Sequence, residues 1–172
     1  MRMNKTVKNL LLFVGFPILI AGNAYFYFVE KAKQLPELEL ILINGDKLNL
    51  SALTGKPALL NFWATTCTPC RKEMPDLARL YRSFSAKGVR VVGIAMSYDR
   101  PDQVIAFQQK YQIPYTLALD LDSTAAKAFD VVAIPETVLI SPRGQVVYRH
   151  SGVINIEDMQ KRIAAMLPDE RK

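Results

Sequence analysis

Apolar positions along the chain follow three rhythms, and each predicts a different element. The longest is unbroken: residues 10–29 are twenty positions without a formal charge. A helix of that length crosses a bilayer core of roughly 30 Å. Tyr25 and Tyr27 stand near its end, where aromatic belts form, and Pro17 and Asn23 interrupt it. Shorter apolar or alternating runs predict strands. Residues 38–43 and 46–50 flank Asn44-Gly45, a hairpin about a tight turn whose positive φ angles the Asn-Gly pair supplies. Residues 58–64 and 89–96 are mostly apolar and predict buried strands, residues 117–119 a short strand or extended link. Residues 137–140 and 145–148 predict a second hairpin across Ser-Pro-Arg-Gly. Helical spacing is the third rhythm. It predicts a helix over 69–86 with Met74, Leu77, Leu80, Tyr81 and Phe84 on its core face, kinked at Pro75 and closed by Gly88. Further helices are expected over 101–111, capped by Asp99 or Arg100, over 123–129 and over 156–167. Strands alternating with helices, then a closing hairpin and helix, predict an α/β sandwich with a central mixed sheet.

Charge changes the picture mainly at the N-terminus. Arg2, Lys5 and Lys8 precede the apolar run, so the positive-inside rule leaves residues 1–9 in the cytoplasm and the rest of the chain outside it. Gly22-Asn23-Ala24 is a poor cleavage site and the run is long for a signal peptide, so residues 10–29 read as a retained transmembrane anchor. Residues 30–36 then form a short linker, 37–168 a single globular domain and 169–172 a tail. The chain has 22 Lys+Arg and 16 Asp+Glu among its 172 residues; leaving out Arg2, Lys5, Lys8 and Glu30 gives the remainder 19 against 15. The signs are interspersed, and no block of like charge points to nucleic acid.

The two cysteines, Cys67 and Cys70, fall where the strand at 58–64 gives way to the helix at 69–86. A cysteine at a helix N-terminus meets unpaired N–H groups and the positive end of the dipole, which favour thiolate. Cys67 is therefore the expected nucleophile. Cys70, a turn further on, is placed to attack a mixed disulfide formed by Cys67. Zinc would need four ligands, and the chain offers no further cysteine and one histidine, His150. A structural disulfide closing so short a loop would remove little entropy from the unfolded chain. The pattern points to dithiol–disulfide exchange, in a compartment where disulfides persist.

These residues carry a family resemblance. Gly55-Lys-Pro-Ala-Leu-Leu-Asn-Phe-Trp-Ala-Thr65, Cys67-Thr-Pro-Cys70-Arg-Lys-Glu-Met-Pro75, Gly88-Val-Arg-Val-Val-Gly93, Ile134-Pro-Glu-Thr137 and Tyr148-Arg-His-Ser-Gly152 together resemble the thioredoxin superfamily. More narrowly, they resemble its membrane-anchored TlpA/ResA/CcmG (DsbE) thiol–disulfide oxidoreductases. The resemblance implies a thioredoxin-like fold with an added N-terminal hairpin, and a cis Pro135 lying against the cysteine pair. It implies a proton-handling role for Glu73, the third residue after Cys70, and an acid in some members at Glu136. A carboxylate near a thiolate raises the thiol pKa and can pass protons to a leaving sulfur; the plain alternative for either acid is a solvated surface glutamate. Trp63, Thr66, Thr68, Pro69, Ile134 and Glu136 are the residues expected at the substrate site, with Trp63 packing beside the active site rather than reacting. Asn61 stands where thioredoxin has a buried aspartate, and Thr66 where a tryptophan is common, which removes a flat contact surface. His150 reads as a satisfied structural histidine.

By resemblance, the chain is expected to be a reductase of envelope-protein disulfides, such as the oxidised haem-binding cysteines of apocytochrome c. A transmembrane donor of the DsbD/CcdA type would reset it, and no cofactor beyond the Cys67–Cys70 dithiol is implied. Pro69 and Ile134 resemble reducing members more than oxidants such as DsbA. The alternatives are an oxidant or isomerase, or a non-enzymatic copper-handling module using the thiols with Met74 or Met96, since soft sulfur ligands suit Cu(I).

Overall fold

The computed structural model describes residues 34–168. The expected anchor at 10–29 and the segments 1–9 and 169–172 lie outside the described residues, as does all of the linker except 34–36. Among the described residues no helix is long and apolar enough to cross a membrane. Gln34 and Leu35, expected in the linker, are tied to the domain: Gln34 bridges Gln145, and the Leu35 N–H donates to Gly144 O at 2.8 Å.

Seven strands form one mixed sheet in the order β2-β1-β5-β4-β3-β6-β7. They are β1 (Glu39–Leu42), β2 (Lys47–Asn49), β3 (Ala58–Trp63), β4 (Arg90–Ala95), β5 (Thr116–Leu119), β6 (Glu136–Ile140) and β7 (Val146–Ser151). The central strands β3, β4 and β5 run parallel, and the other pairings are antiparallel. Parallel neighbours need long crossovers, supplied by helices α1 (Thr68–Phe84) and α2 (Pro101–Tyr111). Helix α3 (Thr124–Ala128) precedes β6, and α4 (Ile156–Ala165) follows β7. All six residues of β3 are buried, as a strand covered on both faces requires. Its alternation sorts them: Leu59 and Trp63 join a core with Leu77 and Leu80 of α1, Val104 of α2 and Ile163 of α4. Leu60 and Phe62 face the opposite core, with Phe129 and a 3-10 turn at Leu50–Leu53. Asn61 therefore lies on the face covered by the three long helices.

Two local expectations are corrected, the turn of the first hairpin and the end of α1, and two details are added. The first hairpin does not use Asn44 at positive φ. Only Gly45 takes it (φ 88), and the Gly45 N–H bonds to Leu42 O at 2.9 Å, a three-residue loop with glycine in the left-handed position. Asn44 instead accepts from Asp46 N–H through its side chain. The 3-10 turn after β2 was not expected. Helix α1 continues through Pro75, stops at Phe84 and passes into a 3-10 turn, Ser85–Lys87, before Gly88. Of the two residues expected to cap α2, Arg100 occupies the position, without a side-chain bond, while buried Asp99 accepts from the N–H and hydroxyl of Thr65.

Gly93 is required by close approach. A Cβ there would meet Leu117 Cδ2 at 2.7 Å and Trp63 Nε1 at 3.1 Å, so the indole of Trp63 packs over the backbone of β4.

Candidate active site

Cys67 is the N-cap of α1, and Pro69 sits in the first turn, where proline's missing N–H costs nothing. Cys67 and Cys70 form a disulfide with Cα atoms 5.3 Å apart. Cys67 is half-buried and Cys70 fully buried, so only the first sulfur is open to a partner. The Cys70 N–H points at Cys67 Sγ, 3.2 Å away, as a helix N-terminus would direct it. Thr66, Thr68 and Pro69 are exposed around the pair. The chain enters this turn through a Cys67 N–H bond to Ala64 O at 3.1 Å and the Asp99 anchor on Thr65.

The Ile134–Pro135 peptide is cis. Antiparallel pairing of Glu136 with Phe62 carries it to the sheet edge where β3 opens into the cysteine turn. Ile134 is half-buried and packs on the core that includes both cysteines. The sheet register and core packing thus bring Cys67, Cys70 and Ile134–Pro135 to one end of the sheet.

Glu73 is 1 % exposed, so it is not a surface glutamate. It occupies the stripe Cys70, Glu73, Met74, Leu77, Leu80 that α1 turns toward the core. Asn61 Nδ2 donates to Glu73 Oε1 at 2.8 Å and to Thr137 Oγ1 at 3.0 Å, and the Ile154 N–H donates to Glu73 Oε2 at 3.2 Å. Burial pushes the Glu73 carboxyl above the usual glutamate range, while the Asn61 and Ile154 bonds and the charge of His150 pull it part of the way back. A carboxyl raised in this way holds its proton to higher pH than a solvated glutamate, the direction that suits an acid–base group.

The shift has a consequence for stability. Because the folded state binds the Glu73 proton more tightly than the unfolded chain, its contribution is fully present below the unfolded pKa and is lost as pH rises through the folded one. Relative to Glu73→Gln, the oxidised protein is expected to lose up to about 1.4 kcal/mol per pH unit across that window, rising from about pH 4. Urea unfolding of both proteins at a series of pH values measures the difference. Parallel curves would show that the carboxyl is not raised.

Two expected substrate contacts are corrected. Trp63 is 0 % exposed and lies against Phe107 with ring centroids 5.3 Å apart, so it supports the site from below and cannot touch a substrate. Glu136 is 2 % exposed, and its carboxylate is taken up by Arg149 Nε and the Ser151 hydroxyl. It too is not a surface glutamate, and it has no free oxygen to offer a substrate. His150 is satisfied: its Nε2 is 3.2 Å from Val153 O, and its ring stacks with Tyr148. Met74 packs in the core that holds both cysteines, and Met96 packs against the opposite core.

Thr137 and Ile154 were not singled out as site residues from the sequence, and Asp99 only as a candidate helix cap. A polar Asn61 inside an apolar strand, and a glutamate on the core stripe of α1, were the readable signals of a buried polar pair. Their other partners arrive from positions far along the chain, and only the sheet register Asn61–Thr137 unites them.

Comparison with known proteins agrees with this geometry. The AhpC/TSA family matches residues 32–149. The thiol-disulfide oxidoreductase ResA of Bacillus subtilis (strain 168) is 35% identical over 134 residues, 78% of this chain and 74% of its own length. ResA of Bacillus cereus (strain ATCC 10987 / NRS 248) is 31% identical over 94% of this chain and 99% of its own. Among solved structures, a thiol:disulfide interchange protein DsbE from Chlorobium tepidum superposes with a TM-score of 0.71 at 28% identity, covering 80% of this chain and 98% of that one. DsbF of MTB gives 0.70 at 26% identity, over 77% and 98%. With a disulfide at the N-cap of a helix on a thioredoxin-like sheet, the chain belongs to the AhpC/TSA family of thioredoxin-like proteins and is a thiol–disulfide oxidoreductase of the ResA/DsbE kind.

Proposed function

We propose that the protein is a membrane-anchored reductase of disulfides in envelope proteins, apocytochrome c among them. The observation that carries this reading is the unequal exposure of the two cysteines, with Cys67 half-buried and Cys70 fully buried one helical turn before the buried Glu73. In the reduced protein, the helix N-terminus favours the Cys67 thiolate. That thiolate attacks one sulfur of the substrate cystine, the substrate S–S bond breaks, and the departing thiolate takes a proton. Cys70 then loses its proton to Glu73 and attacks Cys67 Sγ, breaking the mixed disulfide. The second substrate thiolate departs with the proton held by Glu73, the first having taken one from water, so the substrate leaves as a dithiol with two electrons and two protons gained and the Cys67–Cys70 disulfide is the product state. Thr66, Thr68, Pro69 and Ile134 form the rim that meets the substrate, with Pro135 beneath it. A dithiol of a DsbD/CcdA-type membrane protein returns the two electrons. The apolar run at 10–29 supports an anchor in the cytoplasmic membrane with the catalytic domain outside.

The reduction potential of the pair in the full chain decides the direction of flow. A value well below about −200 mV is expected for a reductase, and one above about −150 mV would make the protein an oxidant or isomerase. Normal c-type cytochromes after deletion of the gene would eliminate apocytochrome c as its substrate.

A further inference from the structure

A groove of ≈730 Å³ runs along α1 from Thr68, the neighbour of Cys67, between that helix and the C-terminal end of α2. Its two walls differ in chemistry. On the α1 side Arg71, Lys72 and Arg82 are exposed, and none has an ion-pair partner among the described residues. The one acid of the groove, Asp76, is already engaged by Arg79. On the α2 side stand Phe107, Tyr111 and Ile113, with Tyr111 52% exposed.

Four cations against one acid give this groove a net +3, whereas the chain from Lys31 onward has 19 basic and 15 acidic residues. Of that net +4, a net +3 therefore lines the groove that starts beside the reactive cysteine. A concave patch of one sign focuses its field and steers opposite charge toward it. From Arg71 to Arg82 the helix rises about 16 Å, the span of about five extended residues.

We propose that this groove receives the segment of the substrate protein next to its cystine, and selects segments in which carboxylates alternate with apolar side chains. The carboxylates meet Arg71, Lys72 and Arg82; the apolar side chains lie on Phe107 and Tyr111. The proposal rests on the exchange chemistry of Cys67 and Cys70 and names the substrate class for it.

The test uses the full chain in detergent, with dithiothreitol as reductant, and two synthetic peptides. Both contain the same intramolecular cystine; one continues as Asp-Leu-Glu-Phe-Glu, the other as Lys-Leu-Lys-Phe-Lys. The acidic peptide is expected to be reduced with a kcat/KM at least about tenfold higher, equivalent to about 1.4 kcal/mol. In the variant R71Q/K72Q/R82Q the two peptides should converge to within about twofold, while reduction of the small uncharged hydroxyethyl disulfide is unchanged. Equal rates for the two tails on the unsubstituted protein, or a preference that survives the triple substitution, would overturn the proposal. If hydroxyethyl disulfide itself is not reduced, the exchange reading fails instead. The groove is then judged by anisotropy with fluorescein-labelled, cysteine-free tails: the same tenfold preference, lost in the variant, upholds it, and equal binding of the two tails overturns it.

Discussion

Cys67→Ala is expected to lower disulfide exchange by at least about 10³-fold, whereas Cys70→Ser should still attack substrate and then stall as a mixed disulfide. The asymmetry follows from burial. Cys70 is fully enclosed by the core that holds Met74 and Leu77, so a substrate sulfur cannot approach it in line. Cys67 stands half-open at the cap of α1, among the exposed Thr66, Thr68 and Pro69. With the resolving thiol removed, the covalent adduct has no intramolecular route of release and accumulates. Non-reducing electrophoresis and intact mass of a Cys70→Ser reaction with a cystine peptide should reveal a one-to-one adduct that dithiothreitol removes. An adduct on Cys67→Ser instead, carried by Cys70, would reverse the roles assigned here.

The elements that carry this chemistry were legible because local and global signals agree there. The apolar run of β3, the cysteines at its exit and the core stripe of α1 each predict the same strand–turn–helix unit, which the fold contains. The course of α2 was equally plain, its expected bounds 101–111 matching the fold, although the left-handed Gln112 that ends it is seen only in the structure. What was illegible depends on long-range pairing. Glu73 and Glu136 could be read as surface acids because their partners, Ile154 on one side and Arg149 and Ser151 on the other, enter only through the second hairpin and the loop after it. A buried carboxylate must find such partners, but the sequence does not say where they will come from. Trp63 was placed among substrate contacts by the family resemblance. Period-two alternation turns it instead to the covered face of the sheet, where it is 0% exposed.

That inward tryptophan gives the largest expected effect on stability. Trp63→Ala should cost about 3–5 kcal/mol, because it empties a site enclosed by the Phe107 ring, the cleft above Gly93 and the side chain of Leu117. Trp63→Phe should cost clearly less. It keeps an aromatic face against Phe107, and it deletes an indole N–H that has no hydrogen-bond partner, so none is lost with it. Urea unfolding with the disulfide intact separates the two, and a Phe variant as unstable as the Ala variant would mean that the indole's extra volume, not its aromatic contact, holds the site. The effect should also reach function by a definite route. Trp63 is the last residue of β3, and Phe107 belongs to α2, so the indole couples the strand that delivers the cysteine turn to the helix that forms the apolar wall of the groove. Under conditions where Trp63→Ala remains folded, reduction of hydroxyethyl disulfide should fall little, since Cys67 and the N-terminus of α1 are retained. Discrimination between the acidic and basic peptides should weaken, since the wall carrying Phe107 and Tyr111 loses its backing. A variant that loses both rates in equal proportion would place Trp63 in support of the sulfur chemistry itself.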